Sequence, residues 1–290
     1  MMTERTISND AELSPEGLEA LLRLLVTGGR RRISSAVIDG RTVWIKRFAG
    51  GGRHFGKWLH AALTPVMPRA FLRASLRVGP TGKADREVRK TAAFRQAGFP
   101  ALHVLHQSGD TIVLSNAGAI VRDRLLSLRT TDAAAHDDLL VACADALARV
   151  HAAGLCHGRP HPRDMFIDNG VIGFLDFEEE PEAVMPLEDA QARDVWLLFQ
   201  QIVARAIARD TSMRAFNAYR RLAPAATMIA LRSLISFFTG FLPLARAAGG
   251  LVGDDGRRFR DATAFLKGEL AADAAARPHP TAAEFRKQSK

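Results

Sequence analysis

Residues 165 to 175, MFIDNGVIGFL, restrict the fold more than any other stretch of this chain. Two strand-like runs, Met165 to Asp168 and Val171 to Leu175, flank Asn169-Gly170, a dipeptide that suits a type I′ turn because both of its central residues need φ > 0. The hairpin they predict stands in a half of the chain that otherwise reads as helix, beginning with the amphipathic DDLLVACADALARVHAAG just after Ala133. Polar groups gather at both ends of it: HGRPHPRD (157 to 164) in front, and Asp176-Phe177-Glu178 behind, opening a run of acids. A rigid two-stranded support with carboxylates at its ends can hold a metal ion.

The chain before Ala133 has a different texture. Ser14-Pro15-Glu16 predicts a helix start, with Leu18, Leu21, Leu22 and Leu25 as its apolar stripe. SSAVIDGRTVWIKRF places β-formers on both sides of Asp39-Gly40, so residues 30 to 48 are expected to be sheet, and ALHVLHQSGDTIVLS repeats the strand, turn, strand pattern. Between them, Ala84 to Ala97 reads as helix. The expected architecture is α+β: a helical extension (1–26), a small antiparallel β-lobe with one inserted helix (27–117), a larger mainly α lobe (118–276) reached through Asn116-Ala117-Gly118, and a mobile, disordered tail (277–290).

With 290 residues, 47% hydrophobic and 24% charged, the chain is ordinary globular material able to bury a core. Its two cysteines, Cys143 and Cys156, lack metal-ligand spacing and read as buried thiols in a reducing compartment. The N-terminal MMTERTISNDAELSPEG has acids and no apolar h-region, which argues against a signal peptide. The longest apolar run, SLISFFTGFLPLA, is thirteen residues, against the ~20 that a spanning helix needs, and reads as a buried helix.

The formal charge of +9 is concentrated. Between Gly40 and Ala84 there is no acid, while Arg41, Lys46, Arg47, Arg53, Lys57, Arg69, Arg73, Arg77 and Lys83 supply cations. Within residues 53 to 77 these alternate with Phe55, Trp58, Leu59, Leu63, Phe71 and Leu72, the composition either of a solvated face of an Arg-rich protein or of a segment that lies on an anionic membrane surface. Nucleic acid is not an expected partner, since no RRM, KH or zinc-finger pattern accompanies the charge.

Read together, these residues resemble the protein-kinase-like superfamily, and within it the bacterial lipopolysaccharide core kinases that phosphorylate Kdo or heptose sugars. The resemblance spans roughly residues 27 to 250. LARVHAAGLCHG is similar to the helix running into the catalytic loop, HGRPHPRD to the loop H-G-D-x-H-P-x-N, Asp176-Phe177-Glu178 to the D-F-G triplet, and VWIK (43 to 46) to V-A-I-K. It implies ATP and Mg²⁺ (or Mn²⁺) as cofactors, Lys46 on the ATP phosphates with Glu87 as its partner, Asp176 and Asp164 on the metal, and Asp194 as a buried acid holding the catalytic loop. It further implies a sugar or lipid acceptor and a cytoplasmic protein, peripheral at the inner membrane.

The loop departs from the pattern at one decisive place, where Arg159 stands at the position of the catalytic Asp. His161 is a substitute base if its pKa lies near 7. Asp164 replaces the usual Asn and retains an oxygen ligand, and Glu178 replaces Gly. Two outcomes follow from these residues: an ATP-dependent phosphotransferase acting on a lipopolysaccharide-core sugar or related envelope lipid, or a catalytically inactive pseudokinase that binds nucleotide and works as a scaffold or regulator.

Overall fold

The computed structural model describes residues 13–27, 31–48, 73, 75–247 and 253–276, with the backbone alone for 241–247, 274 and 276. Helix α1 (Pro15–Thr27) is capped by Ser14, whose Oγ accepts from the Gly17 amide at 2.9 Å. Ser14 in turn donates its own amide (2.8 Å) and hydroxyl (2.7 Å) to the Asp39 carboxylate, tying the helix start to the first hairpin turn. A Cβ on Gly17 would lie 2.3 Å from Asp39 Oδ2, so this docking requires glycine there. The expected apolar stripe of α1 is buried only in part: Leu21 is fully buried beneath the sheet and Leu25 packs beside it, but Leu18 and Leu22 face solvent.

Strands β1 (Ile33–Ile38) and β2 (Arg41–Arg47) pair antiparallel through Asp39-Gly40, whose φ values of 51° and 72° make the expected type I′ turn. Strands β3 (Val104–Ser108) and β4 (Thr111–Ser115) complete a four-stranded sheet in the order β1-β2-β4-β3. Val43 and Ile45 of β2 join Leu21 of α1 in one apolar layer. Helix α2 (Pro80–Gln96) contributes Ala84 to a second layer with Phe48, Leu102, Ile112 and Leu114.

The connector 116–118 passes under the second lobe's hairpin so closely that a Cβ on Gly118 would stand 2.1 Å from the Ile167 carbonyl oxygen. Beyond it, β5 (Ala119–Ile120) joins β6 (Met165–Asp168) and β7 (Val171–Phe174) in a small sheet ordered β5-β6-β7. The turn between β6 and β7 has φ of 47° at Asn169 and 81° at Gly170. The remaining elements are helices α3 (Val121–Thr131), α4 (Ala133–Ala152), α5 (Leu187–Arg205), α6 (Thr211–Arg220), α7 (Ala225–Ala247) and α8 (Asp254–Ala276). Their shared core includes Leu140, Leu147, Leu198, Phe199, Phe216, Tyr219, Leu231 and Leu266, each at most 1% exposed.

This is a two-lobed α+β architecture: a small antiparallel sheet with one helix set against a larger helical lobe. The apolar run at 233–245 falls in α7, which buries Leu234, Ile235 and Phe238. Among the described residues no helix is long and apolar enough to cross a membrane. Cys143 and Cys156 are free, buried thiols. Most of the basic segment 53–77 and the whole tail 277–290 lie outside the described residues.

Candidate active site

Strand alternation sets the first component. Because Val43 and Ile45 face the layer under α1, Trp44 and Lys46 face the other way, into the cleft between the lobes. The Lys46 ammonium lies 2.6 Å from Glu87 Oε2, 2.5 Å from Asp176 Oδ1 and 3.1 Å from Glu178 Oε1. Glu87 belongs to a buried face of α2 that also carries Arg86, Lys90, Thr91 and Phe94 at helical spacing. Burial opposes charge on Lys46, yet the three carboxylates hold its ammonium well above the ordinary lysine range. For Glu87 burial dominates and lifts its carboxyl to about 7, against the attraction of Lys46.

Asp176, one residue past the end of β7 after Leu175, has φ 67°, a left-handed conformation that is strained for a residue other than glycine and that clusters at functional sites. Its geometry is held by its neighbours. Phe177 packs against the rings of Phe94 at 4.5 Å and His157 at 5.1 Å, and the Leu175 amide donates to the Asp164 carbonyl at 3.0 Å. Burial works against the Asp176 charge, but Lys46 and Arg159 hold its carboxyl below the usual range.

The loop before the hairpin is fastened from both sides. Asp194 on α5, fully buried, accepts the amides of His157 (2.7 Å) and Gly158 (3.0 Å), the loop-holding role implied for it by the resemblance. His157 Nε2–H donates to the Leu175 carbonyl at 3.0 Å, while Nδ1 accepts from the Arg159 amide at 3.4 Å. Burial pushes this imidazole down to about 4, so it is neutral and can fill both roles at once.

Arg159 reaches inward. Its guanidinium stands 3.9 Å from Asp176 Oδ2 and forms no ion pair with Glu178, Glu179, Glu180 or Glu182 among the described contacts. His161 accepts from the Arg163 amide at 3.0 Å and caps the short 3₁₀ turn Pro162–Asp164. Burial and the charges of Arg163, Arg205, Arg159 and Arg258 push its pKa to about 4, so the condition for a substitute base, a pKa near 7, is not met. Asp164 is buried beside Arg163 (3.4 Å), and its Oδ2 has no hydrogen-bond partner among the described residues. Burial, then the charge of Asp176, raise its carboxyl to about 7.

Glu87, Asp176 and Glu178 place carboxylate oxygens within 4.8 Å of one another, so Glu178 joins Asp176 where the sequence suggested Asp164. These hard oxygen donors, together with the orphaned Asp164 Oδ2, fit Mg²⁺ or Mn²⁺. Asp176 with Asp164 or Glu178 would hold such an ion.

Sequence reasoning left the acidic run open between solvated acids and a second cation, and missed its main role. Lys90, buried on α2, donates to Glu182 Oε1 (2.7 Å), the Glu179 carbonyl (3.1 Å) and the His157 carbonyl (3.3 Å). Arg89 pairs with Glu180 at 2.6 Å, Arg193 with Glu179 at 2.9 Å, Arg86 donates to the Glu178 carbonyl at 2.9 Å, and Arg32 bonds Glu178. The run therefore clips α2 and Arg32, the residue just before β1, onto the second lobe. Two cations, Arg86 and Lys90, on the same helix face as Phe94 were the available signal. Trp44, whose indole N–H donates to Asn116 Oδ1 at 2.8 Å beside the connector, was also missed.

No family model matches the sequence, and no curated protein matches it. Among solved structures the chain is similar to a MAP kinase from Leishmania major, at 15% identity over 74% of this chain and 71% of that one, with a TM-score of 0.35. It is likewise similar to the Rio2 kinase from Chaetomium thermophilum, at 17% identity over 88% of this chain and 80% of that one, TM-score 0.39. The ADP/Mg²⁺-phosphoaspartate complex of that kinase aligns at 17% identity over 88% of this chain and 78% of that one, TM-score 0.37.

Proposed function

We propose that this protein is an ATP- and divalent-metal-dependent phosphotransferase acting on a hydroxyl group. The observation that carries the reading is Lys46, a permanently charged cleft ammonium held at 2.6 Å from Glu87 and 2.5 Å from Asp176. Lys46 would bind the ATP phosphates while Glu87 fixes its direction, and Asp176 with Asp164 or Glu178 would hold Mg²⁺ or Mn²⁺. The ion, when bound, neutralises charge on the phosphoryl oxygens. Arg159 would add a second cation there, and the neutral His161 can orient an acceptor hydroxyl. The resemblance supports a lipopolysaccharide-core sugar or related envelope lipid as the acceptor, with the basic segment 53–77 resting on the inner membrane.

A second reading, a nucleotide-binding pseudokinase with a scaffolding or regulatory output, is favoured by Arg159, which cannot accept a proton from an acceptor hydroxyl. Transfer of the γ-phosphate from ATP to a crude envelope-lipid extract, with Mg²⁺ and Mn²⁺ compared and Asp176→Ala as control, separates the two. Metal-dependent transfer lost in the control supports the enzyme. Metal-dependent ATP binding with no transfer supports the pseudokinase, and no ATP binding at all removes both.

A further inference from the structure

Three carboxylates crowd the Lys46 ammonium, and they are not held alike. An ammonium offers three N–H groups and no more. Here hydrogen bonds to Glu87 (2.6 Å) and Asp176 (2.5 Å) are joined by an ion pair with Glu178 Oε1 at 3.1 Å. A phosphate oxygen can therefore reach this ammonium only where one of the carboxylates gives way. Glu87 is fixed on α2 with its side chain 2% exposed, and Asp176 makes the shortest contact. Glu178 makes the longest, is 21% exposed, and also bonds Arg32, whose side chain is more than half exposed at the mouth of the cleft. Of the three, Glu178 is the one that can leave.

Its backbone is held independently of Lys46. The Glu178 amide donates to the Asp176 carbonyl at 3.0 Å, closing a tight turn over the buried Phe177, and the Glu178 carbonyl accepts from the buried Arg86 at 2.9 Å. The chain thus aims the carboxylate at Lys46 while leaving the side chain free to rotate. Three carboxyl groups face three cations in the cluster, Lys46, Arg159 and Arg32, so an entering anion replaces a carboxylate rather than meeting an unanswered charge.

We propose that Glu178 is an internal competitor for the phosphate place on Lys46, a side-chain strap that the phosphates of a nucleotide displace and that turns outward onto Arg32 as they enter. The proposal rests on the nucleotide-binding part of the phosphotransferase reading. It assigns the ion to Asp176 and Asp164, whose Oδ2 lacks a partner among the described residues, and leaves Glu178 out of the coordination. A carboxylate suits the role because it presents Lys46 with charged oxygens as a phosphate does. Its short, flexible stem lets it withdraw without moving the backbone that Arg86 holds. The apparent affinity for any phosphate compound is then lowered by the fraction of molecules in which the strap is closed.

The test is calorimetric titration of the full chain with two probes, ATP and base-free tripolyphosphate, each with Mg²⁺ and with a chelator. Glu178→Gln should tighten both probes under both conditions by roughly tenfold, the gain expected when an open state populated about one time in ten becomes the default. Glu179→Gln removes the same charge one residue on, from a carboxylate bonded to Arg193 at 2.9 Å, and should leave both affinities native. Arg32→Gln should weaken ATP in the native background and change nothing in Glu178→Gln, because Arg32 acts only by receiving the displaced carboxylate. If Glu178→Gln does not fold, Glu178→Asp, which keeps the charge on a shorter stem, carries the same comparison. Weaker Mg²⁺-dependent binding in Glu178→Gln would make Glu178 a metal ligand and overturn the proposal. Unchanged affinity, an equal gain in Glu179→Gln, or an equal loss from Arg32→Gln in both backgrounds would overturn it too, and each of these outcomes leaves the phosphotransferase reading standing. That reading falls, and the proposal with it, if neither the native protein nor Glu178→Gln binds either probe.

Discussion

Lys90 of α2 donates to the backbone carbonyl of His157, joining the helix that carries Glu87 to the first residue of the loop HGRPHPRD. The same ammonium holds Glu182 and the Glu179 carbonyl, so one buried side chain connects three parts of the site. Lys90→Met should therefore orphan a carboxylate and two carbonyls, costing about 3–5 kcal/mol by the measure of a broken buried ion pair. Arginine at this position should restore part of the loss. Denaturant unfolding measures the stability. ATP affinity measured on the folded fraction tests the positioning role, because a purely structural Lys90 would leave it untouched.

Glu87→Gln should keep the fold, since the Glu87 carboxyl is lifted to about 7 and is already easy to protonate. Lys46 retains Asp176 and Glu178 as partners in that variant. The expected outcome is a smaller rise in melting temperature with ATP and metal. Native-size stabilisation would mean that Lys46 needs no orienting partner. Asp176→Ala should abolish the metal-dependent part of the rise, because a ligand that binds only the folded state stabilises it by mass action.

Arg159 faces Asp176 at 3.9 Å with its side chain partly exposed. Arg159→Ala should weaken ATP by roughly 1–3 kcal/mol, the scale of a hydrogen bond to a charged group. Arg159→Asp places a carboxylate at the position where the resemblance implies a catalytic base. If the native protein is a pseudokinase with an otherwise competent site, this variant should exceed it in phosphotransfer or ATP hydrolysis. Unchanged affinity in the first and no activity in the second would remove Arg159 from the phosphate site.

The His157 imidazole gives a pH signature. Its pKa in the fold is about 4 against an ordinary 6.5, so between these values the unfolded chain binds more protons than the native one. Stability should be complete above pH 6.5 and should fall as pH drops from 6.5 towards 4. The fall reflects protonation of this histidine in the unfolded chain, which the buried imidazole of the native fold resists. NMR titration of the ring decides it, and a midpoint near the ordinary 6.5 would sink the assignment.

Residues 53–77 yield a prediction from composition alone. Anionic vesicles should bind the protein in a salt-sensitive manner, and neutral ones weakly. Changing Arg69, Arg73 and Arg77 together to Ser should release it. Arg73 already donates to the Val184 carbonyl at 3.0 Å, so Arg69→Ser alone is the informative control for a fold-derived loss. Binding unaffected by the triple change would assign the segment to packing.

Short-range chemistry was legible without coordinates. Asp39-Gly40 and Asn169-Gly170 announced their turns because positive φ is a local steric property, and Ser14-Pro15-Glu16 announced its helix because a cap involves neighbours in the chain. The Lys46, Glu87 and Asp176 triad was also named from sequence, through motifs whose order survives in the chain. What could not be read were quantities set by distance and dielectric between segments far apart in sequence. His161 could be a base only with a pKa near 7, and burial together with arginines from its own loop, α5 and α8 lowers that pKa to about 4. Glu178 looked like a departure from a pattern, yet across the cleft it shares Lys46 with Asp176 and with Glu87 from the other lobe. Leu18 belongs to the apolar stripe by its spacing, and yet it remains exposed. Charge and burial are sums over neighbours in space, and only the folding of one lobe against the other decides who those neighbours are.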